Sequence, residues 1–110
     1  NLLTLLAGLK TKGKTIAAYG APAKGNTLLN YFSIGQDFLD FVVDDSPFKQ
    51  GLYTPGKHIP VVSSKVLYEK KPDYLLILAW NFAESIMKMH ERFKTEGGKF
   101  IIPVPKPRIE

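Results

Sequence analysis

Hydrophobic positions along the chain switch between helical and strand spacing from one end to the other. The first 13 residues have leucines at helical spacing, which predicts an amphipathic helix over 1–13 that Gly13 ends. These leucines are Leu2, Leu5, Leu6 and Leu9. The apolar run at 15–20 then predicts a short buried strand, and residues 25–32 resume helical spacing after a glycine-containing loop.

The remaining segments repeat this order of strand, loop and helix. Further strands are predicted at 38–45, 58–62, 73–80 and 99–104, of which the segment 58–62 is brief. A helix capped by Ser63 or Ser64 is predicted to run through Lys70, because Pro72 would terminate it. The stretch between the second and third strands is long and rich in proline and glycine, and ordered loops of that length tend to be functional.

A last helix is predicted from a capping pair and one apolar face. Asn81 stands three residues before Glu84, which is the spacing of a capping box. Apolar side chains then line one face before two glycines close the helix. The face consists of Phe82, Ile86, Met89 and Phe93, and the glycines are Gly97 and Gly98.

Alternating strands and helices predict an α/β fold. We expect a Rossmann-like three-layer sandwich with a mostly parallel sheet in the strand order 3-2-1-4-5. With 110 residues the chain is long enough for one core, so a single domain over 1–110 is expected. Prolines in the tail make it a poor continuation of a sheet interior. Ligands of such sheets lie beyond the carboxyl ends of the strands, which selects the loops 20–26, 44–56 and 80–81.

Composition narrows the classes of function. The chain has no cysteine, which excludes disulfides, thiolate catalysis and cysteine-based zinc sites within these residues. The net charge of +5 comes from scattered lysines, so nucleic-acid binding gains little support. The apolar opening is too short to cross a bilayer, and a soluble, cytoplasmic protein is expected. Because the chain starts at Asn1 without a leader pattern, we expect it to be a piece of a longer polypeptide.

The loop GAPAKGNT at 20–27 leads from a strand to a helix N-terminus, where an anion would be favoured. Gly20 and Gly25 fit the outer glycines of a dinucleotide fingerprint, but Pro22 occupies the middle position and has no N–H. The P-loop pattern also fails, because Asn26 stands where its lysine is due. Phosphate binding and a simple tight turn therefore remain equal alternatives.

Polar and aromatic residues follow two further strands. Asp44 and Asp45 end the second strand at about the distance from Gly20 where a dinucleotide fold places its ribose-binding acid. A turn cap before the next proline is the favoured alternative. Trp80 offers a flat face for stacking, and Asn81 is either a polar contact or the helix cap.

The histidines and tyrosines are not predicted to be catalytic. His58 and His90 are far apart and lack evident partners, so a surface or structural role is expected for each. Packing is the expected role of three tyrosines. These are Tyr31, Tyr53 and Tyr68.

Four strings carry a family resemblance: YGAPAKGNTLLNYF, DFVVDDSPFKQGLYTPGKHIPV, PDYLLILAWNF and GGKFIIPVPKP. In this order they closely resemble the C-terminal domain of the SAM-dependent sugar C-methyltransferases. The resemblance runs from Tyr19 to Pro107. The elements KGN, KQG, PGKHIP and AWN together make it more specific than any single glycine pattern.

This resemblance implies an enzyme with three domains that methylates a keto-sugar carried on a nucleoside diphosphate. A zinc-binding domain and a SAM-binding domain would precede the present one, which would be Rossmann-like and help to enclose the nucleotide-sugar. The zinc ligands, the SAM-binding glycines and the acid/base residues of the family belong to those preceding domains. No catalytic residue is therefore assigned to this chain, and His58 is not made the base.

The sequence thus leads to a substrate-holding hypothesis. The loop at 24–26 would meet the diphosphate, while the loop 49–56 and the turn 80–81 would shape the cleft for the nucleotide-sugar. The candidate binding residues are Gly20, Lys24, Gly25, Asn26, Asp44, Lys49, Gln50, Gly51, Trp80 and Asn81. The alternative is a degenerate dinucleotide-fold module that serves only packing or dimerisation.

Overall fold

Strand β1 (Ile16–Tyr19) is buried along its whole length at the centre of a sheet in the computed structural model of the chain. The structure describes residues 2–20, 34–45, 51–54, 59–104 and 106–110. β1 pairs in parallel on both sides, with Ala18 opposite Val42 and Leu76. A central apolar strand of this kind needs helices on both faces to cover it.

The predicted strand order is confirmed. The other strands are β2 (Val42–Val43), β3 (Val61–Val62), β4 (Tyr74–Ile77), β5 (Lys99–Ile102) and β6 (Arg108–Ile109). They lie in the order β3-β2-β1-β4-β5-β6, and all neighbours are parallel except β5 and β6. The strands β1 and β4 lie side by side although β2 and β3 come between them in the chain, so the sheet has its topological switch point there.

The tail returns to the sheet as an edge strand, which the sequence analysis did not predict. In the antiparallel pairing of β5 and β6, Ile102 lies opposite Arg108. The Phe100 and Glu110 backbones exchange two hydrogen bonds of 3.1 and 2.9 Å. The prolines before β6 bar the tail from a sheet interior, but an edge strand tolerates them because one side of it needs no partner.

Helices cover both faces of the sheet. Helix α1 (Leu2–Thr11) packs on the face that carries Ile16 and Ala18, and its buried leucines confirm the predicted amphipathic helix. The opposite face carries Ala17 and Tyr19. It is covered by α2 (Ser64–Lys70), α3 (Ala83–Met89) and α4 (Glu91–Thr95). Among the described helices, none is long and apolar enough to cross a membrane.

Strand β2 is much shorter than the predicted strand at 38–45. Residues before it form a turn in which the Phe38 and Leu39 amides both donate to the Gly35 carbonyl oxygen at 3.0 Å. Leu39 is nevertheless fully buried. Apolar residues in a buried turn and in a strand look alike in sequence, because burial alone sets the composition.

The predicted helix after Asn81 is divided, and its predicted face is wrong at two positions. A 3-10 turn at Trp80–Phe82 precedes α3, and His90 separates α3 from α4. Asn81 does not cap α3: Phe82 holds the N-cap position, without a side-chain cap bond. Phe82 and Met89 are 62% and 65% exposed. The buried face is formed instead by Ala83, Ile86, His90 and Phe93.

Candidate functional site

Two predicted site residues, Gly20 and Asp44, lie at the carboxyl edge of the sheet. The Gly20 amide donates to the Val43 carbonyl oxygen at 2.7 Å, which holds the end of β1 beside the end of β2. The Asp44 amide in turn donates to the carbonyl oxygen at the end of β3 at 3.0 Å. Gly20 has a φ of 88°, a conformation that favours glycine at the start of the loop.

The turn after β4 lies at the same edge. The Leu78 amide donates to the Tyr19 carbonyl oxygen at 2.9 Å, so the chain enters the turn at Trp80 beside the end of β1. Trp80 is half-buried and Asn81 is exposed. The topology therefore brings Gly20, Asp44 and the turn 80–81 to one edge, as the switch-point rule requires, while their binding of a ligand stays a prediction.

Of the other six predicted site residues, one is among the residues that the structure describes. Gly51 is exposed, has a φ of 87° and donates its amide to the Val61 carbonyl oxygen at 2.9 Å. The remaining five lie outside the described residues. They are Lys24, Gly25, Asn26, Lys49 and Gln50, and His58 lies outside as well.

A polar cluster at this edge was missed by the sequence analysis. The Tyr19 hydroxyl donates to one carboxylate oxygen of Asp45, and the Ser64 hydroxyl donates to the other. Tyr19 ends β1, Asp45 follows β2 and Ser64 begins α2, so three elements meet here. A signal was present, because polar side chains at the ends of neighbouring parallel strands share an edge.

Electrostatics keep this cluster in one protonation state at neutral pH. Burial, reinforced by the Asp45 carboxylate, raises the pKa of the Tyr19 hydroxyl, which therefore stays protonated. Burial opposes ionisation of Asp45, but hydrogen bonds from Ser64 and Tyr19 outweigh it and lower the pKa of Asp45. A protonated phenol and a charged carboxylate form a charge-assisted hydrogen bond, which stabilises the junction of β1 and β2 with α2.

His90 extends the cluster beneath α3 and α4. Its Nδ1 atom lies 2.9 Å from the Tyr68 hydroxyl, and its ring centroid lies 4.9 Å from that of Tyr19. Burial lowers the pKa of His90, against the opposing effect of Asp45. Among the described residues its Nε2 atom has no hydrogen-bond partner. The expectation that His90 lacks partners is thus wrong, whereas a structural role fits its burial.

An open cleft lies on the other side of the switch point. It has a volume of about 330 Å³ at the carboxyl ends of β4 and β5. The residues that line it carry an indole, a phenyl ring, an amide, a hydroxyl, a carboxylate and a guanidinium. These belong to Trp80, Phe82, Asn81, Ser85, Glu84 and Arg108. The sequence analysis placed Trp80 and Asn81 in a cleft but missed Arg108, which β6 brings here from the tail.

A larger cavity lies at the opposite edge of the sheet. It has a volume of about 420 Å³ and is lined in part by Thr15, which precedes β1, and Phe41, which precedes β2. The Thr15 hydroxyl is already bonded to an Asp73 carboxylate oxygen at 3.2 Å. Size alone does not select a site, and the carboxyl-edge cleft has the more varied recognition chemistry.

Among the described residues, no group of three or more histidine, aspartate or glutamate side chains is arranged to hold a metal ion.

Comparison with known proteins gives two findings. A family model described as the C-methyltransferase C-terminal domain matches residues 1–105. C-methyltransferase NovU of Streptomyces niveus is 42% identical over 105 residues, which cover 96% of this chain and 25% of NovU. The chain therefore spans about a quarter of the length of this curated relative.

Proposed function

This chain belongs to the C-methyltransferase C-terminal domain family, and from that premise we propose that it holds the substrate of a SAM-dependent C-methyltransferase. The substrate would be a keto-sugar carried on a nucleoside diphosphate. The chain would act as one domain beside an upstream SAM-binding domain of the same polypeptide. Methyl transfer makes the whole protein a transferase, whereas these residues supply binding and position.

The observation that carries the proposal is the cleft at the carboxyl ends of β4 and β5. It lies next to the switch point, where doubly wound sheets bind their ligands. Trp80 offers an apolar face, while Asn81 and Arg108 offer hydrogen-bond donors to an anionic, hydroxyl-rich molecule. Apolar walls with a few convergent polar groups are typical of small-molecule sites.

The glycine-containing loop after β1 would complete the site. Gly20 starts this loop beside the cleft's own turn, since the preceding Tyr19 carbonyl oxygen accepts the Leu78 amide. Within the loop, Lys24 would supply a point charge to a phosphate, with Gly25 and Asn26 beside it. The stretch containing Lys49, Gln50 and Gly51 would help to shape the cleft for the nucleotide-sugar. These roles rest on the positions of the loops in the chain.

We assign the SAM site, and with it the acid and base of the reaction, to the upstream domain that the family resemblance implies. Asp45, one of the two acids at the predicted ribose-binding position, is bonded within the protein, because its two carboxylate oxygens accept hydrogen bonds from Tyr19 and Ser64. A zinc site, which the same resemblance implies, is assigned upstream because this chain has no cysteine.

Positioning is the catalytic contribution that remains for this chain. A carbon beside a ketone becomes nucleophilic when a base removes its proton, and methyl transfer then requires that carbon to approach the donor in line. Binding the remote nucleoside diphosphate fixes the sugar and lowers the entropic part of the barrier. Interactions made far from the reacting carbon thus raise the rate without chemistry by this chain.

Calorimetry with two ligands tests the proposal. The chain should bind a thymidine diphosphate sugar weakly, because a cleft between two domains loses a wall when one is removed. It should give no appreciable heat with SAM and no radiolabelled methyl transfer. Tight SAM binding or turnover by these residues alone would contradict the assignment.

The same measurements separate the proposal from the packing-module alternative. A packing or dimerisation module would bind neither ligand, even when titrated at high protein concentration. Sedimentation velocity would then show a concentration-dependent dimer that the nucleotide-sugar does not alter. Binding of the nucleotide-sugar in the absence of SAM binding supports substrate holding.

A further inference from the structure

The chemistry around Trp80 distinguishes the two halves of a nucleotide-sugar. We infer that the cleft binds the nucleoside-diphosphate half, with the base against Trp80 and a phosphate on Arg108; this inference rests on the proposed function. The keto-sugar would then lie outside the cleft, toward the methyl donor. Arg108 lies beyond residues 1–105 that the family model matches.

Arg108 is built into the cleft by the edge strand. Its backbone pairs with that of Ile102, another residue of the cleft wall. Its Nε atom donates to a Glu110 carboxylate oxygen at 2.9 Å, which uses only one of the guanidinium donors. Among the described residues, its two terminal nitrogens form no hydrogen bond, and a planar fork of donors suits phosphate oxygens. The side chain is 49% exposed and so accessible to a ligand.

Aromatic side chains supply the complement for a base. Trp80 is half-buried, and Phe82 is 62% exposed among the same lining residues. Base stacking on an aromatic ring is worth about 1–3 kcal/mol per base in single-stranded complexes, so one ring suffices for a measurable preference. A keto-sugar has no aromatic ring and would contact this surface through its C–H groups, whereas a base offers a flat ring that stacks over its whole face.

The hydrogen-bonding side chains of the cleft differ in which part of the ligand they suit. The Glu84 carboxylate accepts hydrogen bonds from hydroxyls and repels phosphate, so it suits the ribose. Asn81 is exposed beside it and both donates and accepts. With Glu84 unsuited to an anion, Arg108 is the place for the phosphate. The volume of about 330 Å³ lies near the lower end of small-molecule sites, which suits half of a nucleotide-sugar.

Trp80 itself reports on the cleft, because it is the single tryptophan of the chain. Its emission should change and saturate when the 110-residue chain is titrated with thymidine diphosphate or uridine diphosphate. A parallel titration of free N-acetyltryptophanamide corrects for absorption by the base. Inorganic pyrophosphate should change the emission much less, since it lacks the base.

Charge variants test the role of Arg108. R108Q should bind thymidine diphosphate about tenfold more weakly, since a charge-assisted contact is lost, and R108K should recover part of that affinity. K106Q is the matched control: it removes one exposed cation of the same tail that does not line the cleft, and its affinity should equal that of the wild type. Far-ultraviolet circular dichroism checks that each variant folds.

The outcomes separate this inference from the proposed function. An unchanged Trp80 emission, or equal affinities of R108Q and the wild type, would overturn the inference that the cleft binds the nucleoside diphosphate. If calorimetry still records binding of the nucleotide-sugar, the substrate-holding function stands and its site lies elsewhere. If neither fluorescence nor calorimetry detects a nucleotide, both are wrong.

Discussion

The two corners of the carboxyl edge hold polar side chains in opposite ways. Between β1, β2 and α2, the Asp45 carboxylate accepts hydrogen bonds from the Tyr19 and Ser64 hydroxyls. Beyond β4, the cleft exposes Asn81 beside Trp80, and among the described residues the Asn81 side chain forms no hydrogen bond. One corner is closed by its own partners and the other is open to a ligand.

This contrast shows that a position at the switch point does not by itself make a residue functional. Polar groups in the closed corner use their bonding capacity within the protein, which links strands to a helix. In the cleft, Asn81 keeps its bonding groups for water or a ligand, and Arg108 uses one donor on Glu110. Substitutions in the closed corner should therefore change stability, and those in and around the cleft should change binding.

The largest expected effect on stability comes from Asp45→Ala. It removes the carboxylate acceptor of the Tyr19 hydroxyl, whose residue is 7% exposed. We expect the free energy of unfolding to fall by about 1 kcal/mol, at the low end for a charged hydrogen bond because Asp45 is partly exposed. Urea unfolding at pH 7 measures this.

Asp37→Ala is the matched control, because Asp37 is an exposed carboxylate in the turn before β2. Its unfolding midpoint should equal that of the wild type. Affinity for thymidine diphosphate should stay unchanged in both variants. A loss of affinity in Asp45→Ala without loss of stability would place the binding site in the closed corner. It would contradict the distinction between a stabilising corner and a binding cleft.

Lys24→Ala should have a smaller effect, on binding. Its loop follows β1, which lies between the two corners, so the variant tests how far the site extends from the cleft. We expect about threefold weaker binding of the nucleotide-sugar at low salt and a smaller difference at high salt, because ions screen an exposed charge. Calorimetry at two ionic strengths measures both, and equal affinities at low salt would remove Lys24 from the site.

The smallest expected effect is a dependence of stability on pH in the closed corner. Since the pKa of His90 is lowered in the folded state, the unfolded chain binds this proton more readily. The contribution of neutral His90 is therefore complete above its ordinary pKa of 6.5 and declines as the pH falls below it. Asp45, whose pKa is lowered, adds a separate loss below its ordinary value of 3.8.

His90→Gln isolates the histidine term, because glutamine can still bond the Tyr68 hydroxyl but does not titrate. As the pH falls below 7, the free energy of unfolding of the wild type should fall more steeply than that of the variant. His58 is present in both proteins and cancels from the difference. Parallel pH profiles would show that His90 does not couple to folding.

Local patterns in the sequence determined the strand order, the parallel sheet and the amphipathic helix α1. They could do so because alternation and helical spacing depend on residues close in the chain. The family resemblance came from strings of the same kind. Placement of Trp80 and Asn81 in a cleft followed from the rule that ligands bind at the switch point.

Tertiary structure alone decided the contacts between distant segments. Tyr19 and Asp45 are 26 residues apart, and Tyr68 and His90 are 22 apart, so no local period relates them. Helical spacing fits either Met89 or His90 as the buried residue, and the rings of Tyr19 and Tyr68 select His90. Arg108 reaches the cleft only because β6 folds back on β5. Contacts between residues so far apart in the chain depend on which surfaces meet after folding. A local pattern of residues does not encode this.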